Sequence, residues 1–478
     1  MKYCSTRGGV KGVPFRQALF SGYALDGGLF VPEIVPKLSP DTISEWVKAK
    51  LSYPKIVYEI VRRFVSEEEL PNDALAKCIE NAYNTGKFDT LSVVGMKNCN
   101  TRRTEEGFTV AELFHGQTQS FKDYALSLVG QLMQYFLNKH NEKLIVLVGT
   151  SGDTGSAAIK SVEGLEGIDI IVLYPDGKIS AVQELQMTSS LAKNVHVFAV
   201  EGTSDDLDVP IRQCFPGEGI CSINSINWAR IMIQIAHFVY LYIHEGGEAL
   251  DIFLPTGAAG NLVSGVICNL MGFPIKFFPA TNENDNVHAF LNKGQLRLGG
   301  TIISTPANAM DIRYPYNLER LIYLLSNSPE LTAKYMTICE SDSENVADIE
   351  KSLLDKIKTI VPECQLVETK HIHETIQWVW KTQKYMICPH TATAFYHLDK
   401  SGKLTKNKAV VVSTASPQKF SDVVSAAGIS SAEWKGDELW TKLKAGPQVE
   451  PNRSMKMQNQ SDWLKILQEE ISKIRSTH

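Results

Sequence analysis

Short apolar runs recur along the chain from about residue 140, and a turn and a helical pattern follow several of them. A continuous apolar run of this length is typical of a strand buried on both faces, and alternation with helices is typical of parallel sheets. The pattern therefore predicts an α/β fold. The runs occupy residues 144–148, 168–174, 195–200, 251–254, 274–278 and 409–412.

The two ends of the chain have other patterns. Residues 1–85 predict a mixed, mostly helical unit, with helical periodicity at 42–50, 53–65 and 72–82. Residues 86–440 form the predicted α/β core. Residues 441–478 predict a linker followed by an amphipathic helix. The apolar stripe of that helix consists of Trp463, Leu464, Leu467, Ile471 and Ile474.

Composition and charge exclude several classes of protein. The chain has 478 residues, of which 44% are hydrophobic and 21% charged, as expected of a globular protein. The net charge of -5 offers no basic surface for nucleic acid. The apolar stretch 231–243 is too short to span a membrane and is interrupted by Gln234 and His237. The nine cysteines form no CxxC motif and no secretion signal is present, so we expect free thiols and a cytoplasmic protein.

Two glycine-rich turns connect predicted strands to predicted helices. They are residues 150–155 (TSGDTG) and 256–261 (TGAAGN). The N–H groups and the dipole at a helix start favour a phosphate or carboxylate there. Neither turn is a Walker A or GxGxxG motif. Taken singly, each turn is weak evidence for a ligand, because glycines after strands usually serve only the geometry of the connection.

Lys122 is the candidate catalytic residue. It stands at the start of a predicted helix with an apolar stripe, where the dipole and partial burial lower the pKa of an amine. A neutral lysine amine is what Schiff-base chemistry needs. By itself, Lys122 also fits a surface lysine beside Asp123. Together with two anion-binding turns, it supplies what a phosphate-bearing aldehyde cofactor requires.

A family resemblance covers nearly the whole chain. It is carried by motifs in family order at residues 3–8, 26–32, 112–123 (ELFHGQTQSFKD), 150–155, 224–230 (NSINWAR), 255–261, 280–285, 308–312, 389–392 and 413–420 (STASPQKF). On these residues the chain resembles the threonine synthase family of fold-type II pyridoxal-phosphate enzymes, and most of all its animal threonine synthase-like 2 branch. The resemblance implies a tryptophan synthase β-like fold. That fold has parallel or mixed sheets flanked by helices in two lobes, with a helical N-terminal domain.

The resemblance also implies site residues and pyridoxal 5'-phosphate as the cofactor. Lys122 would bind the cofactor covalently and move protons, and Thr414 would place its hydroxyl on the ring nitrogen. The other implied cofactor-binding residues are Asp153, Gly257, Ala258, Ala259, Gly260 and Asn261. The implied substrate-binding residues are Ser151, Gly152, Thr154, Lys178, Ser180, Gln183, Asn224, Ser225, Asn227 and Arg230.

The sequence departs from the family pattern in two motifs, and the segment between Ile211 and Asn224 is also shorter than is usual in the family. The family's phosphate loop reads Ser-Gly-Asn-Phe-Gly-Asp/Asn, and here Ala258 and Ala259 replace the Asn and Phe. A cradle of backbone N–H groups survives this change. The family's Thr-Ala-His-Pro appears with Ser416 in place of the histidine. Both changes fall near the place beside the cofactor ring where a synthase has to direct water to Cβ.

The predicted activity is a phospho-lyase that releases phosphate from O-phosphohomoserine or a related phosphorylated amino acid, giving 2-oxobutyrate and ammonia. The alternatives are a true threonine synthase, which adds water to yield threonine, and a catalytically inactive binding protein on the same scaffold. We expect no nucleic-acid or membrane partner, and a monomer or homodimer. We also expect no metal site, because His371 and His373 alternate on a predicted strand or loop edge without acidic neighbours at ligand spacing.

Overall fold

The computed structural model describes residues 1–83, 108–215, 217, 219–401, 408–446, 454–457 and 460–477. Its N-terminal part is mostly helical, as predicted. Strand β1 (Tyr3–Ser5) pairs antiparallel with β2 (Phe30–Pro32). The helices of this part are α1 (Phe15–Leu19), α2 (Pro40–Ala49), α3 (Tyr53–Phe64) and α4 (Asn72–Ala82).

One parallel sheet forms the first lobe of the core, in the strand order β14-β6-β5-β4-β7. Its strands are β4 (Leu144–Gly149), β5 (Ile168–Pro175), β6 (Val195–Val200), β7 (Ile220–Cys221) and β14 (Ser454–Met457). The helices of the same region are α5 (Lys122–His140), α6 (Asp153–Val162), α7 (Ala181–Thr188), α8 (Asp208–Cys214) and α9 (Trp228–His244).

A second parallel sheet forms the other lobe, in the strand order β12-β9-β8-β13-β3. Its strands are β3 (Thr109–Glu112), β8 (Leu250–Pro255), β9 (Ile275–Thr281), β12 (Gln365–Leu366) and β13 (Lys408–Ser413). Helices α10 (Gly260–Leu270), α15 (Thr369–Gln383) and α16 (Pro389–Ser401) belong to this lobe. Helix α9 is buried along most of its length and packs on α3, α5 and α10, so it joins the two lobes.

The remaining elements connect these layers. They are β10 (Gln295–Arg297) and β11 (Val346–Asp348), which pair antiparallel, and α11 (Asn286–Lys293), α12 (Asn317–Ser326), α13 (Pro329–Ser341), α14 (Lys351–Ile360), α17 (Ser421–Ala426), α18 (Glu438–Ala445) and α19 (Gln460–Thr477). In the described residues, no helix is long and apolar enough to cross a membrane.

All six predicted apolar runs are strands in the structure, and the helical segments predicted in the N-terminal part are α2, α3 and α4. The predicted C-terminal helix is α19, and Trp463, Leu467, Ile471 and Ile474 are buried against the first lobe, with Leu464 packed beside them.

Two local predictions are wrong. The expected linker contains β14, which pairs with β6 at the edge of the first sheet. The sequence did not predict this strand because the backbone hydrogen bonds of an edge strand do not require an apolar run. His371 and His373 lie in the helix α15 and not on a strand or loop edge, and the ring of His371 stacks on Tyr396.

Candidate active site

A cavity lies at the carboxyl ends of β4 and β8, and both predicted glycine-rich turns line it. Ligands bind at this edge in many parallel α/β folds. Most of the predicted site residues line it. They are Lys122, Ser151, Asp153, Thr154, Asn224, Ser225, Arg230, Gly257, Ala258, Ala259, Gly260, Asn261 and Thr414.

Lys122 lies at the first position of α5, as predicted, with 12% of its side chain exposed. Burial lowers the pKa of its amine to about 8, although Asp153 acts in the opposite direction. The nearby cations Arg230 and Lys419 contribute to this lowering of the pKa. A substantial fraction of the amine is therefore neutral at physiological pH.

Asp153 is the anion nearest to that amine. Its Oδ2 lies 3.7 Å from Nζ of Lys122, and its Oδ1 lies 2.9 Å from Nζ of Lys419. The Nε2 group of Gln183 also donates to Oδ1 at 2.9 Å. Burial alone raises the pKa of this carboxyl, but the two lysines outweigh burial and hold the pKa well below its usual range. Asp153 is thus a fixed negative charge inside the cavity.

The turn before α6 is organised by the hydroxyl of Thr150. This hydroxyl accepts from the backbone N–H groups of both Gly152 and Gly155, each at 3.0 Å. Gly152 has φ 137°, and a Cβ at this position would lie 2.4 Å from Nε2 of Gln183, so only glycine fits. The first-turn N–H groups of a helix lack intrahelical acceptors. The N–H groups of Asp153 and Thr154 are therefore available to bind an anion in the cavity that these two residues line.

The turn before α10 has the geometry of a phosphate cradle. Ala259 precedes the helix with φ 61°, a left-handed conformation that is unusual for alanine, and no side chain caps the helix start. Such a turn directs successive N–H groups into a concave anion site. A Cβ at Gly260 would lie 2.9 Å from Cβ of Ser225, and one at Gly257 would lie 3.1 Å from Cα of Met310. The backbone here is accordingly as close to its neighbours as glycine allows.

Thr414 and His390 complete the wall near Lys122. The carbonyl of Thr414 accepts from the N–H of Phe121 at 2.8 Å, which ties Thr414 to the residue before Lys122. Nε2 of His390 accepts from the N–H of Ala309 at 3.0 Å, so Nδ1 carries the proton of the neutral ring and is buried without a partner. Burial lowers the pKa of His390 to about 4. His390 is therefore a neutral donor at physiological pH.

Arg230 is a buried cation on α9. Its guanidinium donates to the carbonyl of Ile223 at 3.0 Å and to Oγ1 of Thr154 at 3.4 Å, while its Nε is buried without a partner. Among the described residues, no carboxylate forms an ion pair with Arg230. Burial lowers its pKa to about 10, so it stays charged. A buried, uncompensated guanidinium is suited to an anionic ligand.

The wall formed by Asp205 and Asp208 was not predicted from the sequence. Burial raises the pKa of Asp205 to about 7, against a hydrogen bond from the N–H of Arg313. Burial raises the pKa of Asp208 to about 6, against the charge of Arg212. Asp205 is therefore partly protonated at neutral pH and can donate a hydrogen bond to an anion, whereas Asp208 is mostly ionised.

Five predicted site residues do not line the cavity: Gly152, Lys178, Ser180, Gln183 and Asn227. Ser180 and Gln183 form a reciprocal capping box at the start of α7, and Gln183 reaches the site only through Asp153. Asn227 caps α9 by accepting from the N–H of Ala229 at 3.0 Å. Lys178 is exposed on the turn after β5.

Ser416, which replaces a family histidine, is also used for local structure. Its Oγ accepts from the N–H of Gln418 at 3.3 Å, and its own N–H donates to the carbonyl of Gln119. Two further residues lie in motifs that the sequence singled out and contribute to the site, although neither was predicted as a site residue. Thr150 shapes the first turn, and Lys419 contacts Asp153 from a segment 266 residues away in sequence.

The residues present fit a planar aldehyde cofactor with a phosphate group. Lys122 offers a partly neutral amine, and the uncapped turn at Gly257–Gly260 offers backbone donors for the phosphate. Nδ2 of Asn261 is buried without a partner at the same helix start. In the described part of the chain, no group of three or more His, Cys, Asp or Glu side chains is placed to hold a metal ion.

Comparisons with known proteins agree with this geometry. The family described as "Threonine synthase N terminus" matches residues 2–83. Threonine synthase-like 2 from Xenopus laevis is 39% identical over 485 residues, covering 99% of each chain. The crystal structure of threonine synthase from yeast superposes with a TM-score of 0.87 at 29% identity, covering 100% of this chain and 99% of that one. The PLP-bound threonine synthase from Brucella melitensis gives 0.84 at 30% identity, covering 98% of each.

Proposed function

The chain belongs to the threonine synthase family, and from that premise we propose that it is a phospho-lyase acting on O-phosphohomoserine or a related phosphorylated amino acid. The chain is an enzyme of the PLP-dependent, fold-type II kind, as the sequence predicted. The proposed products are 2-oxobutyrate, ammonia and phosphate. The reaction consumes one water molecule. 2-Oxobutyrate and ammonia together therefore contain the same atoms as threonine, the product of the alternative reaction.

The observation that carries the proposal is the placement of Lys122 between two anion-binding helix starts. Its amine is held at a pKa of about 8 in the cavity that both turns line. The turn at residues 256–261 is proposed to hold the cofactor phosphate. The N–H groups at the start of α6, together with Arg230, are proposed to hold the carboxylate and phosphate of the substrate.

When bound, PLP withdraws electrons from the amino-bearing carbon of the substrate and makes its α-proton removable. In its neutral form, Lys122 is proposed to remove that proton. Once this proton has passed to solvent, the regenerated neutral amine is proposed to remove a second proton, from Cβ. Phosphate leaves from Cγ as the Cβ–Cγ double bond forms. Arg230 and the partly protonated Asp205 can stabilise the departing phosphate by donating hydrogen bonds. The Thr414 hydroxyl is proposed to contact the cofactor's ring nitrogen.

Loss of side chains beside the cofactor favours release of an unsaturated product over addition of water. Adding water at Cβ requires a well-placed base and a closed site. Ala258 and Ala259 present only methyl groups at the turn before α10, and the hydroxyl of Ser416 is engaged in a local cap. His390 has a pKa of about 4 and is too weak a base for this task.

The test is product identification with purified holoenzyme and O-phosphohomoserine. 2-Oxobutyrate, ammonia, threonine and phosphate are quantified in the same reaction. The proposal predicts 2-oxobutyrate and ammonia equal to phosphate, with Lys122→Ala inactive. Threonine equal to phosphate would show a true threonine synthase instead. The absence of phosphate release from a panel of phosphorylated amino acids would contradict both activities.

We also propose a cytoplasmic location and a monomer or homodimer without nucleic-acid or membrane partners. The location is supported by the eight described cysteines, which are buried and form no disulfide with one another. Gel filtration with light scattering would measure the oligomeric state.

A further inference from the structure

Lys419 is a fully buried lysine beside the active-site cavity. Its side chain is 0% exposed, and it lies in a short 3-10 helix, Pro417–Phe420. Its Nζ contacts Oδ1 of Asp153 at 2.9 Å and donates to the carbonyl of Thr118 at 2.8 Å. Burying an ammonium group costs free energy unless the group is paired. The contacts with Asp153 and Thr118 compensate for this cost.

Asp153 is shared by two lysines. Lys419 and Gln183 occupy Oδ1 at 2.9 Å, which fixes the carboxylate and leaves Oδ2 facing Lys122 at 3.7 Å. The shorter distance and the additional donor place most of the carboxylate's charge compensation at Oδ1. The ion pair between Lys122 and Asp153 is therefore weaker than it would be if Lys122 were the only cation in contact with Asp153.

We infer that Lys419 is a positioning residue that fixes the Asp153 carboxylate and, by competing with Lys122 for its charge, keeps the Lys122 amine available for covalent attachment of the cofactor. The inference rests on the proposed function only in assigning that attachment to Lys122. Without Lys419, Asp153 would pair with Lys122 alone and hold it as an ammonium ion.

The titratable groups that face Lys122 come from four elements. They are Asp153 on α6, Arg230 on α9, His390 on α16, and Lys419 on its 3-10 helix. His390 is neutral near pH 7, and Arg230 remains when Lys419 is changed. Removing Lys419 takes away a cation that lowers the pKa of Lys122 and also frees Asp153, which raises that pKa. The two effects act in the same direction. The pKa of Lys122 should rise.

The experiment measures the amine of Lys122 in the protein without cofactor. The apoprotein is acetylated with trace reagent between pH 6 and 10, and the rate at Lys122 is followed by peptide mass spectrometry. The wild-type rate should have its midpoint near pH 8. Lys419→Met should move the midpoint up by about one pH unit, the usual size of an effect of one nearby charge. Lys419→Arg keeps the charge and should retain the wild-type midpoint.

Asp153→Asn is a second variant that tests the inference independently if Lys419→Met does not fold. It removes the anion while both neighbouring cations remain, so its midpoint should fall below the wild-type value. A folded Lys419→Met protein, judged by circular dichroism, with an unchanged or lower midpoint would overturn the inference. An unchanged or higher midpoint in Asp153→Asn would overturn it as well. No substrate enters this assay, so its outcome is separate from that of the product analysis.

Discussion

Nε2 of His237 donates to Oδ1 of Asn261 at 2.8 Å, which couples the buried helix α9 to the first turn of α10. Both side chains are buried, and Nδ1 of His237 has no partner. The phosphate cradle is thus supported from behind by a histidine whose charged form the surroundings disfavour. Burial lowers its pKa to about 4, although the bond to Asn261 acts in the opposite direction.

His237 should make the protein less stable as the pH falls from 6.5 to 4. In that range the unfolded state binds a proton that the folded state excludes, so stability rises with pH. The shift from 6.5 to about 4 corresponds to about 3 kcal/mol at the acidic end. Urea unfolding of His237→Gln should show a shallower pH dependence than wild type. His373→Gln, at a partly exposed site on α15, should retain the wild-type dependence, and equal slopes for the two variants would contradict the prediction.

Ala259 should tolerate glycine better than its neighbour does. A left-handed residue other than glycine costs roughly 1–2 kcal/mol, and glycine relieves this strain. The relief outweighs the cost of about 0.5–1 kcal/mol that arises because glycine makes the unfolded chain more flexible. Ala259→Gly should therefore leave the free energy of unfolding unchanged or raise it by up to about 1 kcal/mol. Ala258 is not in the left-handed region, so Ala258→Gly should lower that free energy. Thermal or urea unfolding measures both, and the reverse order would rule out strain at Ala259.

Arg230 should show opposite effects on activity and stability. Arg230→Met removes a buried cation that lacks a carboxylate partner, so the ligand-free protein should gain about 1 kcal/mol or more in free energy of unfolding. The same change should lower kcat/KM for O-phosphohomoserine by about 100-fold, because charge-assisted hydrogen bonds to the substrate are lost.

The matched control for Arg230 is Arg320. It is equally buried but donates to the backbone carbonyls of Phe30, Ser225 and Ile226. Arg320→Met should therefore destabilise the protein. If Arg230→Met is also destabilising, Arg230 serves the fold and its proposed role as an anion ligand is contradicted.

The sequence predicted the strands that are buried on both faces and missed those at the margins. The six apolar runs became core strands because central parallel strands must be apolar throughout. The short strands β7 and β12 have two residues each, and β14 lies at a sheet edge, so none leaves a periodic signal. Edge strands depend on backbone hydrogen bonds, which carry no side-chain pattern.

Prediction of the site succeeded where the chemistry is local. Lys122 stands at a helix start, and both glycine-rich turns face one cavity. Ser180 and Asn227 show the opposite case, because these polar residues cap helices. The capping-box spacing from Ser180 to Gln183 was available in the sequence and would have indicated this. Lys419 was out of reach, since its contact with Asp153 depends on tertiary packing alone.

The central claim is that Lys122, and not the neighbouring Lys419, binds the cofactor covalently. The most direct measurement is reduction of the holoenzyme with borohydride, followed by proteolysis and mass spectrometry of the modified peptide. The account predicts a single reduced cofactor adduct on Lys122, with none in Lys122→Ala. An adduct on Lys419, the other lysine in contact with Asp153, or no adduct on a protein that retains its fold, would contradict it.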